Sequence, residues 1–333
     1  MLKLAQKANR HARAHLRRAF ARGCAILYYH RVTELAVDPF EQAVSPEVFR
    51  QQLECLREWA TILTLSQVVQ MSSEDRLPRR AVAITFDDGY ADNLYEALPL
   101  LERYGMPATF FIASGYVGGK REFWWDELER IFFFSTTLPE HLELTIGERM
   151  HQWTFKAGVR TSNGEGQGAS PESVFKAVHS LLQELPSPER DEVIAKLLEW
   201  SGIERTVRPT HRTLTADEVA RLAGSNLVEI GAHTLTHASL PLCSEGQRRA
   251  ELVDCKRDLE TMTGREVKHF SYPYGAHDQS CADLVRSAGY ASGCTVSARA
   301  VRCGANPYLL PRFWARPWQR PEFEGLFENF FAT

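Results

Sequence analysis

The 333-residue chain is 44% apolar and 24% charged, the balance of a soluble globular protein whose core needs no disulfides. A formal net charge of −3 gives no electrostatic reason to expect nucleic acid as a ligand. Seven scattered cysteines, odd in number and without a CxxC pair, argue against a disulfide framework and against a thiolate zinc site.

Residues 1–22 carry Lys3, Lys7, Arg10, Arg13, Arg17, Arg18 and Arg22 and no acid, and their apolar residues never merge into a leader-like run. They read as a basic leading helix, solvated or resting on an anionic membrane face. No stretch approaches the ~18 consecutive apolar residues of a membrane span, so the expected location is cytoplasmic, up to the inner membrane surface.

Short continuous apolar runs at Cys24–Tyr29, Ala81–Phe86, Ala108–Ala113, Leu227–Ile230 and His269–Tyr272 read as buried parallel strands. Helices start between them. Ser45-Pro46-Glu47 combines an N-cap with a first-turn proline, Thr215–Glu218 is a capping box, and Asp278 caps the segment ending at Gly289. Alternating strands and helices predict an α/β fold with a parallel sheet or barrel over 23–119 and 213–333. Polar residues stand where strands end (Tyr29-His30, Asp87-Asp88, His233, Tyr274, Arg312), the rim where such folds bind ligands.

Residues 120–212 break the rhythm. An aromatic helix from Trp124 to Phe134, a hairpin over His141–Phe155, a flexible loop over Thr161–Ser170 and two helices opened by Ser-Pro-Glu (to Leu185 and to Trp200) predict a mixed α/β insertion. It is a lid, a substrate wall or a structural ornament.

Three segments carry chemistry. Thr85-Phe86-Asp87-Asp88-Gly89 ends an apolar strand with adjacent carboxylates, which repel when buried unless a cation compensates. Extended alternation would aim one at a metal and the other at a substrate. His233-Thr234-Leu235-Thr236-His237 offers two imidazoles to one divalent ion. Pro273-Tyr274-Gly275 makes a tight turn whose N–H can face a developing oxyanion. Singly, each is commonly a turn, a surface pair or a loop.

In this order the three resemble the motifs of the polysaccharide deacetylase (NodB-homology) family: TFDDG at Thr85–Gly89, H-[ST]-x-x-H at His233–His237 and the Pro-x-Gly loop at Pro273–Gly275. Tyr29-His30 and Pro107–Phe111 add to the likeness, which spans roughly 24–118 and 213–320 and looks most like the exopolysaccharide-associated branch. The resemblance implies a distorted (β/α) barrel of about seven parallel strands. It implies a divalent metal, usually Zn2+, on Asp88, His233 and His237, with Asp87 as general base and the Tyr274 N–H as oxyanion donor. The expected reaction removes N-acetyl groups from amino sugars of an oligo- or polysaccharide or glycolipid; deformylation, O-acetyl ester cleavage and a non-catalytic sugar-binding relative are the alternatives.

Two departures stand out. The family's third motif often carries an Arg that orients the base, where this chain has Ser271; its last motif often carries a general-acid His, where Leu309–Phe313 has none. Arg312 is expected to take over the first role by reaching Asp87 from the last strand. His30 is the first candidate for the second, ahead of His277 and His269.

Overall fold

The computed structural model describes residues 23–135, 137–155 and 168–330, apart from the side chains of 327, 328 and 330. The basic helix expected over 1–22, and most of the loop expected over 161–170, lie outside the described residues. No described helix is long and apolar enough to cross a membrane.

Among the described residues, eight parallel strands form the main sheet: β1 (Cys24–Tyr29), β2 (Thr61–Ile62), β3 (Ala81–Phe86), β4 (Ala108–Ile112), β5 (Val228–Ala232), β6 (His269–Ser271), β7 (Ser292–Cys294) and β8 (Phe313–Trp314). Seven follow the order β7-β6-β5-β4-β3-β1-β8, and β2 pairs with the start of β3. Leu310 exchanges backbone hydrogen bonds with Gly293 and Thr295 at 2.8 Å each, so the segment entering β8 joins β7 to β1. This is the distorted barrel of about seven strands that the sequence led us to expect.

Alternation along β1 sorts its side chains. Ala25, Leu27 and Tyr29 face the helical layer, packing with Val48, Phe49 and Leu53 of helix Pro46–Trp59, whereas Cys24 and Ile26 join the interior cluster of Ala83, Phe111, Cys294 and Leu310. Burial on both faces explains why the strands read as unbroken apolar runs. The helices begin at their capping residues: Ser45 accepts from the Val48 N–H, Thr215 and Glu218 complete a capping box, and Asp278 accepts from the Cys281 N–H. One start differs. Helix Ser187–Ser201 includes Ser187 rather than being capped by it, because that hydroxyl accepts from Arg190 Nη2 and from Thr236 of the barrel rim.

The segment expected as an insertion contains helix Trp124–Glu129, a π-turn at Arg130–Phe134, the hairpin His141–Ile146/Arg149–Thr154 and helices Pro171–Gln183 and Ser187–Ser201. Their apolar faces build a second core (Trp124, Leu128, Leu142, Phe175, Leu197) that takes in Tyr90, Ala113 and Tyr116 from the barrel rim. A shared core of this kind fuses the segment to the barrel wall.

Candidate active site

Asp87 extends the β3 ladder, its N–H donating to the Tyr29 carbonyl at 2.9 Å. The chain then turns through left-handed backbone at Asp88 (φ 76°) and Gly89 (φ 85°), where a Cβ on Gly89 would come 3.0 Å from Ile112. The turn sends the two carboxylates to different partners. Asp88 Oδ1 lies 3.3 Å from His237 Nε2 and 3.6 Å from His233 Nε2. Ligands bonded to one tetrahedral ion at ~2.1 Å stand about 3.4 Å apart, so these spacings fit a common ion.

The chemistry of the donors fits as well. His233 Nδ1 donates to the Ser271 carbonyl at 2.8 Å, a tautomer that leaves the Nε2 lone pair facing Asp88. Burial pulls the His233 pKa down to about 4, so the ring stays neutral. Burial pushes Asp88 up, but the hydrogen bond and charge of His237 outweigh it and hold the carboxyl below its usual range. All three groups are buried, and together they could hold a divalent ion.

Asp87 faces the barrel interior. Arg312 grips it in a two-pronged pair, Nη1 to Oδ1 at 2.8 Å and Nη2 to Oδ2 at 2.7 Å. The guanidinium is completed by the Thr85 and Ser271 hydroxyls (3.1 and 2.8 Å) and the Thr295 carbonyl (3.0 Å), and is 0% exposed. Burial raises the Asp87 pKa, yet Arg312 brings it down to about 2. One expectation needs correction. Arg312 stands at the start of β8, not at a strand end; its side chain climbs the barrel interior past Tyr28 and Phe111 to reach the rim. Ser271 is small enough to admit it, and its hydroxyl adds a long contact of its own to Asp87 Oδ2 at 3.5 Å.

His30 follows β1, its ring packed edge-on to Tyr28 and Trp314 (5.6 and 6.0 Å). It lies close enough to Asp87 and Asp88 to act on both carboxyls, and its buried Nδ1 has no hydrogen-bond partner among the described residues. His269 is corrected away from the site: it begins β6 at the opposite end of the barrel, between the Ser66 and Ser292 hydroxyls. His277 is exposed and turns back onto the Gly275 carbonyl. Tyr274 adopts φ 59° in the Pro273–Gly275 turn, and its ring stands edge-on to His237 at 4.7 Å.

Two features escape motif reading. Four non-glycine residues of the site, Asp88, Thr234, His237 and Tyr274, are left-handed, a conformation costing roughly 1–2 kcal/mol each and typical of functional sites. The segment beyond the barrel also walls the site. Trp125 packs on His237 at 4.8 Å, and Trp124 Nε1 donates to the Tyr274 hydroxyl at 3.0 Å.

The sequence model described as polysaccharide deacetylase matches residues 74–134 and 176–293, just over half of the chain. The match runs past the boundaries expected at 118 and 213, leaving 135–175 as the unmatched middle. Poly-beta-1,6-N-acetyl-D-glucosamine N-deacetylase from Staphylococcus aureus is 38% identical over 78 residues, covering 23% of this chain and 27% of that protein. The chain thus spans well under half the length of the curated relatives it matches. Among solved structures, IcaB from Ammonifex degensii superposes with a TM-score of 0.59 at 18% identity, covering 92% of this chain and 97% of that one. A polysaccharide deacetylase from Bacillus cereus gives 0.57 at 16%, covering 92% and 70%. With the fold, the three motif segments and this match in agreement, the chain belongs to the polysaccharide deacetylase family.

Proposed function

We propose that this protein is a metal-dependent hydrolase that removes N-acetyl groups from amino sugars of a bacterial polysaccharide or glycolipid. The observation that carries the reading is the Arg312–Asp87 pair set beside the Asp88, His233 and His237 cluster. Binding a sugar requires no ionised carboxylate fixed in the barrel interior; activating water does. The named activity of the staphylococcal relative supports an N-acetylated amino sugar as substrate.

Asp88, His233 and His237 would hold the ion, zinc being the first choice. A divalent ion bound there acidifies water to a pKa near 7 and polarises a carbonyl. Asp87 Oδ2 accepts from Arg312 and from Ser271, whereas Oδ1 accepts from Arg312 and keeps a lone pair for a water proton. Held near 2, Asp87 is ionised at every working pH, but it is a weak base that needs an already acidified water. The Tyr274 N–H is assigned to the oxyanion and His30 to the leaving amine. The C–N bond then breaks to give acetate and a free amine.

The test is acetate release from N-acetylglucosamine oligomers before and after chelation, with formyl and O-acetyl analogues run in parallel to assign the acyl group. Release that stops on chelation and returns with Zn2+ is expected. Sugar binding without turnover in the presence of Zn2+, Co2+ or Mn2+ would sink the reading.

A further inference from the structure

A second group of ligand-type side chains lies outside the site just described. Asp126 and Glu129 stand three residues apart on helix Trp124–Glu129, and His211 closes the 3-10 turn Pro209–His211. One ligand atom from each lies within 4.8 Å of the others. All three are buried, His211 to 4% exposure.

The surroundings leave this group short of positive charge. Glu122, Asp126 and Glu129 are buried carboxylates, and Arg208 bonds Glu122 and Glu129. Arg31 also neighbours Asp126, but its guanidinium is engaged by Asp92 at 2.9 Å. Burial holds the Asp126 carboxyl well above its usual range, so Glu122 and Glu129 against Arg208 leave one negative charge at this cluster. Asp126 Oδ2 accepts from the Tyr90 hydroxyl and Glu129 Oε1 from Arg208 Nη1.

The imidazole supplies an independent observation. His211 Nδ1 is 2.9 Å from the Thr210 hydroxyl, while Nε2 has no hydrogen-bond partner among the described residues and stands at ion-pair distance, 3.5 Å, from Glu129 Oε1. A nitrogen and a carboxylate oxygen at that separation have the spacing of two ligands on one ion. The same spacing relates His233 to Asp88 at 3.6 Å. A cavity of about 10 Å3, room for about one water, is lined by Asp126, Glu129 and Arg31 but not by His211.

We infer that Asp126, Glu129 and His211 form a second divalent-cation site that fastens the neck of the 120–212 segment. Asp126 and Glu129 lie where the chain leaves the barrel, and His211 where it returns. An ion here closes a loop of about eighty residues, the situation in which a metal clip stabilises most. It also braces the first site. Tyr90 links Asp126 to Trp125 Nε1 (2.7 and 2.9 Å), and Trp125 packs on His237. A mixed carboxylate and imidazole set suits first-row ions such as Zn2+ and Mn2+ better than Ca2+ or Mg2+.

The test counts ions. Full-length protein is stripped with chelator, loaded with Zn2+ or Mn2+, desalted and assayed for metal per chain, alongside Asp88→Ala, His211→Gln and Glu129→Gln. Two ions in wild type and one in each variant are expected, with chelation lowering the Tm of Asp88→Ala. One ion in wild type, none in Asp88→Ala and one in His211→Gln would overturn the second site and leave the first standing. One in wild type, one in Asp88→Ala and none in His211→Gln would do the reverse. Two ions retained in both His211→Gln and Glu129→Gln would place the second ion elsewhere and overturn the proposal. Circular dichroism checks each fold, and Glu129→Gln serves if His211→Gln does not fold.

Discussion

Replacing Arg312 by Met keeps the apolar stem and deletes the charge that faces Asp87. The carboxylate is 3% exposed and would be left without its two charged donors. Removing one partner of a buried pair costs about 3–5 kcal/mol of stability. The carboxyl pKa, now about 2, should climb beyond its ordinary 3.8, because burial is the largest influence on it and only the weaker effects of His233 and His30 then oppose it. That rise is worth at least ~2.5 kcal/mol at 1.36 kcal/mol per unit. The readout is kcat/KM for acetate release against pH, which reports the essential base of the free enzyme. Wild type should show no acidic limb from Asp87 above pH 5; Arg312→Met should gain one and lose about 10²–10⁴ in kcat. The double variant Arg312→Ser with Ser271→Arg returns a guanidinium to the position where related sequences often carry it, and should restore part of the rate. A folded, metal-loaded Arg312→Met with the wild-type profile would refute the assignment of Arg312 as the residue that keeps Asp87 ionised.

Asp88→Ala should abolish chelator-sensitive turnover, and isothermal titration of the double variant Asp88→Ala with His211→Gln should find no Zn2+ bound at micromolar concentration. His30→Gln, assayed from pH 5 to 9, should lose about 10²–10⁴ in rate on unactivated amides and less on substrates with good leaving groups; equal losses on both remove His30 from amine protonation. Trp124→Phe deletes the bond to the Tyr274 hydroxyl and should cost about 1 kcal/mol in urea melts while raising KM more than it lowers kcat. His179, beside Trp124, has its pKa pulled by burial and then by Arg190 to about 4 from an ordinary 6.5. The folded state therefore binds fewer protons than the unfolded one: stability is full above pH 6.5 and falls between 6.5 and 4 by at most about 3 kcal/mol, less whatever solvent screens. His179→Phe should flatten that decline, measured by denaturant unfolding at pH 7, 5.5 and 4.5.

The longer strands were legible because β1, β3 and β4 are sealed on both faces and must read as apolar runs. Residues Thr61–Ile62, Ser292–Cys294 and Phe313–Trp314 were not legible, since two or three residues carry no period. The helix starts at Pro46, Ala216 and Gln279 were written in local side-chain chemistry, which needs no tertiary context. The placement of Arg312 depended on such context. Its partner could be guessed from the missing motif arginine, but its position at the foot of β8 follows from how the last strand docks on β1. The aromatic helix opening at Trp124 was legible, but not that Trp124 and Trp125, both buried, would also touch Tyr274 and His237. The Asp126, Glu129 and His211 cluster had no spacing to betray it, because the chain makes a long excursion between its members.

The salt bridge across the barrel joins residues 225 positions apart. On the ribosome, the TFDDG segment emerges long before its guanidinium partner has been translated. Until then Asp87 must stay hydrated, since enclosing it alone would strand a charge away from water. Docking of β8 is thus the step that both shuts the cylinder and arms the carboxylate, so a nascent chain stopped short of Arg312 should be open, soft and inert.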